Sequence, residues 1–357
     1  MPITTSESPS AATVWVPGSA GTSSIRALNA STVDATGSYS VAEGYNTLIS
    51  GSYSRGGGYG CTASAAYSFV YGLNINSTFN YNFGAGRGHT LSSDFAVALN
   101  RDNIASGPSS FAIGRENIAS NSQAFVSGFL STASGDNSRA SGRQCTASGT
   151  YSNASNYLAV ASGTGSHAEG GSTLASSDYS HAEGLSTTAS GGSSHSEGSS
   201  TVASGSSAHA GGKNATASRW AEWARSSGAR GQYGIVSASA FSIDATPFIL
   251  YLDESASKFT IPSNTAYKVK LECTIINYTT GDAIEYEGKG LIKNLAGTTT
   301  LVGAFTMTSV NGDAGLATTA ITVTADDVND CLQIQCTGIA DSLDWFCKIS
   351  YVAVNRL

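Results

Sequence analysis

The stretch Ser166–Gly198, "SHAEGGSTLASSDYSHAEGLSTTASGGSSHSEG", states nearly the same phrase three times at an interval of 14 residues. A catalytic site needs to be written once, whereas a stacked structure is written many times. Outward from this stretch the interval holds from Gly44 to Gly212, with Asn100 and Asn156 at the two positions that lack Gly. After Gly, Asn best tolerates a left-handed backbone, so the exceptions keep the turn chemistry. Five residues after most of these positions comes a small residue, mostly Ala (Ala63, Ala105, Ala119 through Ala217), followed by Ser or Thr. Thirteen rungs without insertion or deletion therefore run from about Ser40 to Arg219, and Arg26–Gly37 reads as a decayed fourteenth.

Fourteen residues are too few for a helix-pair repeat, and no helical period is present. The length fits one coil of a β-solenoid, with two strands of about five residues and two tight turns. Within "SHAEG", Ser166, Ala168 and Gly170 fall on one side and His167 and Glu169 on the other. The first side is small in nearly every rung and is expected to line a narrow interior. The second is bulky upstream: Val41, Phe69, Phe83, Val97, Phe111 with Ile113, and Phe125. A coil filled with Ala and Ser buries little apolar area to set against its ordering entropy. The bulky row is therefore expected to be covered from outside the chain, in a closed cyclic homo-oligomer.

The repeat "SFAIGRENIASNSQ" (Ser110–Gln123) resembles the head repeat of YadA-like trimeric adhesins. The "SHAEG…T.ASG" form resembles repeats of bacteriophage tail-fibre and neck-appendage proteins. This resemblance covers about half of the chain and implies a homotrimeric left-handed parallel β-roll; the left hand comes from the family. On it, Val41, Phe69, Phe83, Val97, Phe111, Ile113 and Phe125 are an apolar layer on the trimer axis. His167, Glu169, His181, Glu183, His195, Glu197 and His209 are its polar continuation, a ladder hydrogen-bonded across subunits. Bound ions are the alternative for this column, because three-fold symmetry brings three imidazoles together at each level; no metal and no cofactor is expected. Arg55 and Arg139 share the column and suggest water or anions along parts of the axis. If the glutamates raise the imidazole pKa values, stability falls as pH rises through the raised values.

Composition narrows the rest. Charged residues are 12 % and the net charge is −7, which gives no reason to expect nucleic-acid binding. No apolar run reaches the length of a membrane span, and the N-terminus lacks the pattern of a signal peptide. The six cysteines show no metal-ligand spacing. Cys273 alternates in phase with Val269, Leu271 and Ile275, and Cys336 with Leu332 and Ile334. Buried, inert thiols in a chain assembled in a reducing cytoplasm are the reading, with disulfides the alternative.

Residues 1–25 read as an N-terminal attachment arm and 26–219 as the β-roll shaft. Residues 220–232 read as a neck or cap, with Trp220 and Trp223 closing the roll and a short helix plausible. From Tyr233 to Leu357 the pattern changes to alternating strands between Gly, Asn and Asp turns, which indicates an antiparallel β-sandwich, jelly-roll-like. The order of these strands also resembles a C-terminal domain of phage tail-fibre proteins. "ADDVND" (Ala325–Asp330) lacks calcium-loop spacing and reads as a solvated acidic turn.

The function expected is that of a phage virion fibre, assembled in the host cytoplasm, that recognises a bacterial surface glycan or protein receptor non-covalently. Its arm docks on other virion or tail baseplate proteins, and the receptor-contact candidates are Asn264, Asn277, Tyr278, Asn311 and Asp313. The alternative is an architectural connector or head-decoration fibre. A cell-surface trimeric adhesin is disfavoured by the missing signal peptide and membrane barrel. No enzymatic activity is expected, because Tyr233–Leu357 contains no histidine and no persuasive carboxylate pair, although Glu285 and Glu287 share one strand face.

Overall fold

A computed structural model describes residues 15–20, 23–27, 33–228 and 231–355. The chain is all-β, with one 3-10 turn at Ala314–Leu316 and no α-helix among the described residues. It divides into two compact units, Met1–Gly165 and Ser166–Leu357. The first 14 residues of the sequence-expected arm lie outside the described residues. Its remainder includes Trp15–Pro17, antiparallel to Ile25–Ala27, which in turn runs parallel to Val41–Tyr45.

The first unit is a β-solenoid. Phe111–Arg115 pairs in parallel with Phe125–Phe129 at an offset of one repeat, placing Phe111 beside Phe125 and Gly114 beside Gly128. The same register holds along the stack, from Val41–Tyr45 to Asn153–Tyr157. The second strand of each coil is two residues long, such as Ile118–Ala119, and not about five as expected. Left-handed corners consume the difference: around this coil Ser109, Gly114 and Glu116 have φ of 56°, 109° and 59°.

The interior is as thin as the pattern predicts, with Ala98, Ala112, Val126, Ala140, Ala105, Ala119 and Ala133 fully buried. The repeating glycine does not line it. Gly114 is only half-buried, and a Cβ there would lie 2.2 Å from the carbonyl oxygen of Gly128. Close approach of the next coil and a left-handed φ together exclude a side chain. Asn100 and Asn156 adopt the same conformation, at φ of 84° and 85°.

A buried polar column accompanies the alanines. Asn103 Nδ2 donates to the carbonyls of Leu99 (2.6 Å) and Gly114 (2.8 Å), while its Oδ1 accepts from the Asn117 amide (2.9 Å). These bonds satisfy backbone groups at a corner that the strand ladder leaves unpaired. One rung earlier the column holds His89, 1 % exposed, whose Nδ1 accepts from the Asn103 amide (3.2 Å). Its Nε2 lies 3.1 Å from the Ala85 carbonyl, so the ring fits the column as a neutral imidazole. Burial pushes its pKa below the ordinary 6.5. Below that pH the unfolded chain binds a proton that the fold refuses, so stability is lost as pH falls toward the lowered value. His89→Asn continues the asparagine column without a titrating group. Thermal melts between pH 7.5 and 5 are expected to show a smaller acid-induced loss for this variant; wild-type and variant curves that stay parallel would contradict the assignment.

In the second unit, His167–Gly171, His181–Leu185, His195–Ser199 and His209–Lys213 stack in the same way. The repeats do not end at Arg219. Trp223–Gly228 forms one more parallel rung, with Trp223 beside His209, so this stretch is strand and not helix. Gly231–Ser242 then folds back antiparallel on that rung, opposing Ile235 to Trp223. The open edge of the last coil is thereby paired, which is how a solenoid end avoids exposing strand groups.

Gly231–Ser242 pairs along its length with Leu343–Asn355, which pairs with Thr265–Asn277, and that with Ala283–Leu295. Thr298–Leu301 and Thr306–Gly312 complete this antiparallel sheet. A smaller sheet consists of Ala320–Asp326, Cys331–Thr337 and the short strands Phe248–Ile249 and Phe259–Thr260. Both sheets contribute to one apolar cluster that includes Leu271, Ile275, Trp345 and Ile349 from the first and Leu332, Ile334 and Phe259 from the second. Trp345 is buried, and its Nε1 donates to Ser242 Oγ at 2.9 Å.

The expectation of six inert thiols is corrected. Cys273 and Cys347 face each other across neighbouring strands with Cα atoms 4.1 Å apart and form a disulfide. Alternation within each strand shows that both are buried but not that they meet. Cys61, Cys145, Cys331 and Cys336 are free and buried. The bridge also removes the support that thiols lent to assembly in a reducing compartment.

Candidate functional site

Parallel in-register stacking puts identical side chains into columns, one rung apart. The His167, His181 and His195 rings stack at 4.8 and 4.7 Å, within 5° of parallel. His209 turns edge-on to His195, and Trp223 follows it at 5.8 Å. Carboxylates run alongside: His167 Nε2 is 3.6 Å from Glu169, His195 Nε2 is 3.5 Å from Glu183, and His209 Nε2 is 3.3 Å from Glu197. These contacts lie within one chain, and the last is a hydrogen bond. The ring nitrogens Nε2 of His181 and His195 are buried from solvent and make no hydrogen bond.

The electrostatic expectation for this column is reversed at His181. Burial, followed by the neighbouring His195 and His167 rings, holds its pKa below 6.5, against the pull of Glu183 and Glu169. A depressed imidazole pKa stabilises the fold above the unfolded value and loses that contribution as pH falls, not as it rises. Burial, with like groups stacked at rung spacing, thus outweighs the flanking carboxylates.

In the first unit the corresponding repeat positions are apolar. Phe69 stacks on Phe83 and Phe111 on Phe125, each pair at 5.3 Å. Phe69 and Phe83 are 37 % and 41 % exposed, and Val41, Val97, Phe111, Ile113 and Phe125 are half-buried. The arginines of the column find protein partners: Arg55 Nε donates to the Tyr71 hydroxyl at 3.0 Å, and Arg139 lies over the Phe125 ring. A second aromatic ladder went unremarked at the sequence level, although its spacing is legible. Tyr39, Tyr53, Tyr67, Tyr81 and Phe95 stack at about 5 Å on a corner where each has a left-handed φ, and all remain exposed.

The receptor-contact candidates do not form one surface. Asn264 sits before Thr265–Asn277 and Asn277 at its other end, roughly 40 Å apart along an extended strand. Asn277 is 3 % exposed and organises a turn: its Oδ1 accepts from the Thr279 and Thr280 amides and its Nδ2 donates to Asp341 at 2.9 Å. Asp313 accepts from the Ala283 amide at 2.9 Å. Turn chemistry therefore explains Asn277 and occupies Asp313. Tyr278, 77 % exposed, and the exposed Asn311 are left as available contacts. In "ADDVND", Asp326, Asp327 and Asp330 are taken up by Asn329, Thr299 and Lys258.

Sequence reading also missed a buried polar cluster beneath the last rung. Glu222 occupies the column held by Ser166, Ser180 and Ser194, all buried, and is itself 1 % exposed. Its Oε2 accepts from the Ser218 (2.6 Å) and Arg219 (2.9 Å) amides, and its Oε1 takes the Arg219 guanidinium and the Tyr351 hydroxyl. Arg219 lies 4.1 Å over the Phe259 ring and donates to the Thr260 carbonyl. The signal was present: continuing the register one rung places Glu222 where every earlier residue is Ser, Asn or Ala.

No protein-family model and no curated protein matches the chain. Among solved structures, the tailspike protein gp49 from Acinetobacter baumannii bacteriophage Fri1, a capsular polysaccharide depolymerase, aligns with it over 87 % of this chain and 67 % of that one. Identity is 7 % and the TM-score 0.24, so the likeness carries no statement about substrate or mechanism. The expectation of a non-enzymatic chain is not retained: the aligned protein is described as an enzyme, and a likeness of this degree does not argue either way for this chain. The physical basis of that expectation was also insufficient: glycoside cleavage uses carboxylates, and lack of histidine in Tyr233–Leu357 does not bear on it.

Proposed function

We propose that the chain is the protomer of a homotrimeric virion fibre, a phage tail appendage whose left-handed β-roll carries a β-sandwich tip that recognises a bacterial surface glycan or protein. The observation that carries this reading is the column of Phe69 and Phe83, exposed, and Phe111 and Phe125, half-buried, on a coil whose interior is alanine. Such a row is dried by two further copies around a shared axis. The repeat's resemblance to phage-fibre and YadA-like heads supplies the symmetry and the hand. Residues 1–14 and the strands after them are proposed to attach the fibre to other virion proteins.

Tyr278 and Asn311 are the proposed tip contacts, a ring face and an amide suited to sugar hydroxyls. Three copies per fibre convert weak single-site contacts into avidity. Biolayer interferometry of the full chain against intact susceptible cells and their purified surface polysaccharide tests the reading, with chain length of the polysaccharide followed in parallel. Binding that weakens at least tenfold in Tyr278→Ala is the expected result. Absence of binding to every susceptible surface leaves the architectural connector as the better description, and shortening of the polysaccharide would make the tip part of an enzyme.

A further inference from the structure

The geometry points to a transition-metal site within the histidine column, formed by His181, Glu183 and His195 of one chain. Their ligand atoms all lie within 4.8 Å of one another. The edge from His195 Nε2 to Glu183 Oε1 is 3.5 Å. Two donors held at the usual zinc–ligand distances in a tetrahedron are about 3.4 Å apart, so this edge already has the required length. The other two edges are at most 4.8 Å, and the next pair, His195 and His209, is already 62° from parallel, so rings of this column do tilt out of the stack.

A hydrogen-bonded ladder leaves part of this column unexplained. His209 has its carboxylate partner, but the buried Nε2 atoms of His181 and His195 have no hydrogen bond. Orphaned buried polar atoms are costly, and a cation between them would use both lone pairs. The set of two imidazoles and one carboxylate selects the ion class. Nitrogen donors suit zinc, copper or nickel and disfavour calcium and magnesium, which take oxygen shells. Water or a residue of another copy completes the fourth position; the inference does not rest on the trimer.

The column supplies its own control substitutions. Upstream rungs carry Phe in the histidine position and stack at 5.3 Å, so His181→Phe with His195→Phe preserves the ring column while deleting both nitrogens. Full-length protein stripped with chelator is titrated with Zn2+ and, as a spectroscopic probe, Co2+. The expected result is saturable uptake with the strong visible bands of four-coordinate Co2+. Affinity is expected to fall at least tenfold in His181→Phe/His195→Phe and in Glu183→Gln, with far-UV circular dichroism unchanged. Stripped wild-type protein that takes up neither ion overturns the site, as does unchanged uptake by the double variant. A double variant that loses its fold passes the decision to Glu183→Gln, where undiminished affinity is the overturning result.

Discussion

Glu222→Ala is expected to destabilise the unit Ser166–Leu357 by about 3–5 kcal/mol, the cost of leaving one member of a buried ion pair without its partner. The side chains of Arg219 and Glu222 are 3 % and 0 % exposed, so neither charge can be rescued by water. Removing the carboxylate strands the guanidinium against the rings of Phe259, Tyr267 and Tyr351. It also orphans the amides of Ser218 and Arg219 and the Tyr351 hydroxyl. Glu222→Gln keeps an acceptor for the amides but not the charge, and its cost should be smaller, about 1–3 kcal/mol. Urea unfolding followed by the fluorescence of buried Trp345 measures both. A Glu222→Ala midpoint within 1 kcal/mol of wild type would mean that water reaches the pair, contrary to the burial.

Gln232 belongs to the same arrangement. Its amide bridges both backbone groups of Thr216, at 2.9 Å each, and donates to the Tyr351 hydroxyl at 3.2 Å. The last rung is therefore held to the long antiparallel sheet by side-chain polarity as well as by strand pairing. Such a cluster fixes one docking geometry where alternating small residues would allow several.

The solenoid was legible because its contacts are its period. Within each unit every coil touches the next at a separation of 14 residues, so the Gly, Asn and Ala columns in the sequence are the contact map itself. The left-handed Asn100 and Asn156 were readable for the same reason. Contacts without a period were not readable. Cys273 and Cys347 are 74 residues apart, and nothing local to either strand announces its partner. Asn277 has the composition of a binding loop, yet its side chain is spent on its own turn and on Asp341. The coil corners fall between these cases. Their positions repeat, but the occupants at left-handed φ range from Tyr39 and Tyr53 to Ser109, Glu116 and Leu130, so no single residue type marks the turn and the second strand is overestimated.

Phe111→Asp combined with Phe125→Asp is expected to abolish assembly of the full chain, converting the proposed trimer into single chains or unfolded material. The two rings stack on each other at 5.3 Å and are half-buried within one chain. Complete burial of a Phe is worth about 1.5–3 kcal/mol, so the half still open on two rings per chain in three chains supplies roughly 5–9 kcal/mol to association. A carboxylate in their place adds the desolvation of an unpaired charge. Tyr53→Asp provides the contrast, because Tyr53 also belongs to an exposed stacked column, but at the corner and not on the row assigned to the axis. It should leave the sedimentation coefficient unchanged. If exposure of aromatic surface alone drove association, Tyr53→Asp would weaken it as much as the paired phenylalanine change. Sedimentation velocity in dilute buffer separates the two, and wild-type protein that runs as a folded single chain would remove the axis, because then the alanine interior suffices to hold the coils without a partner.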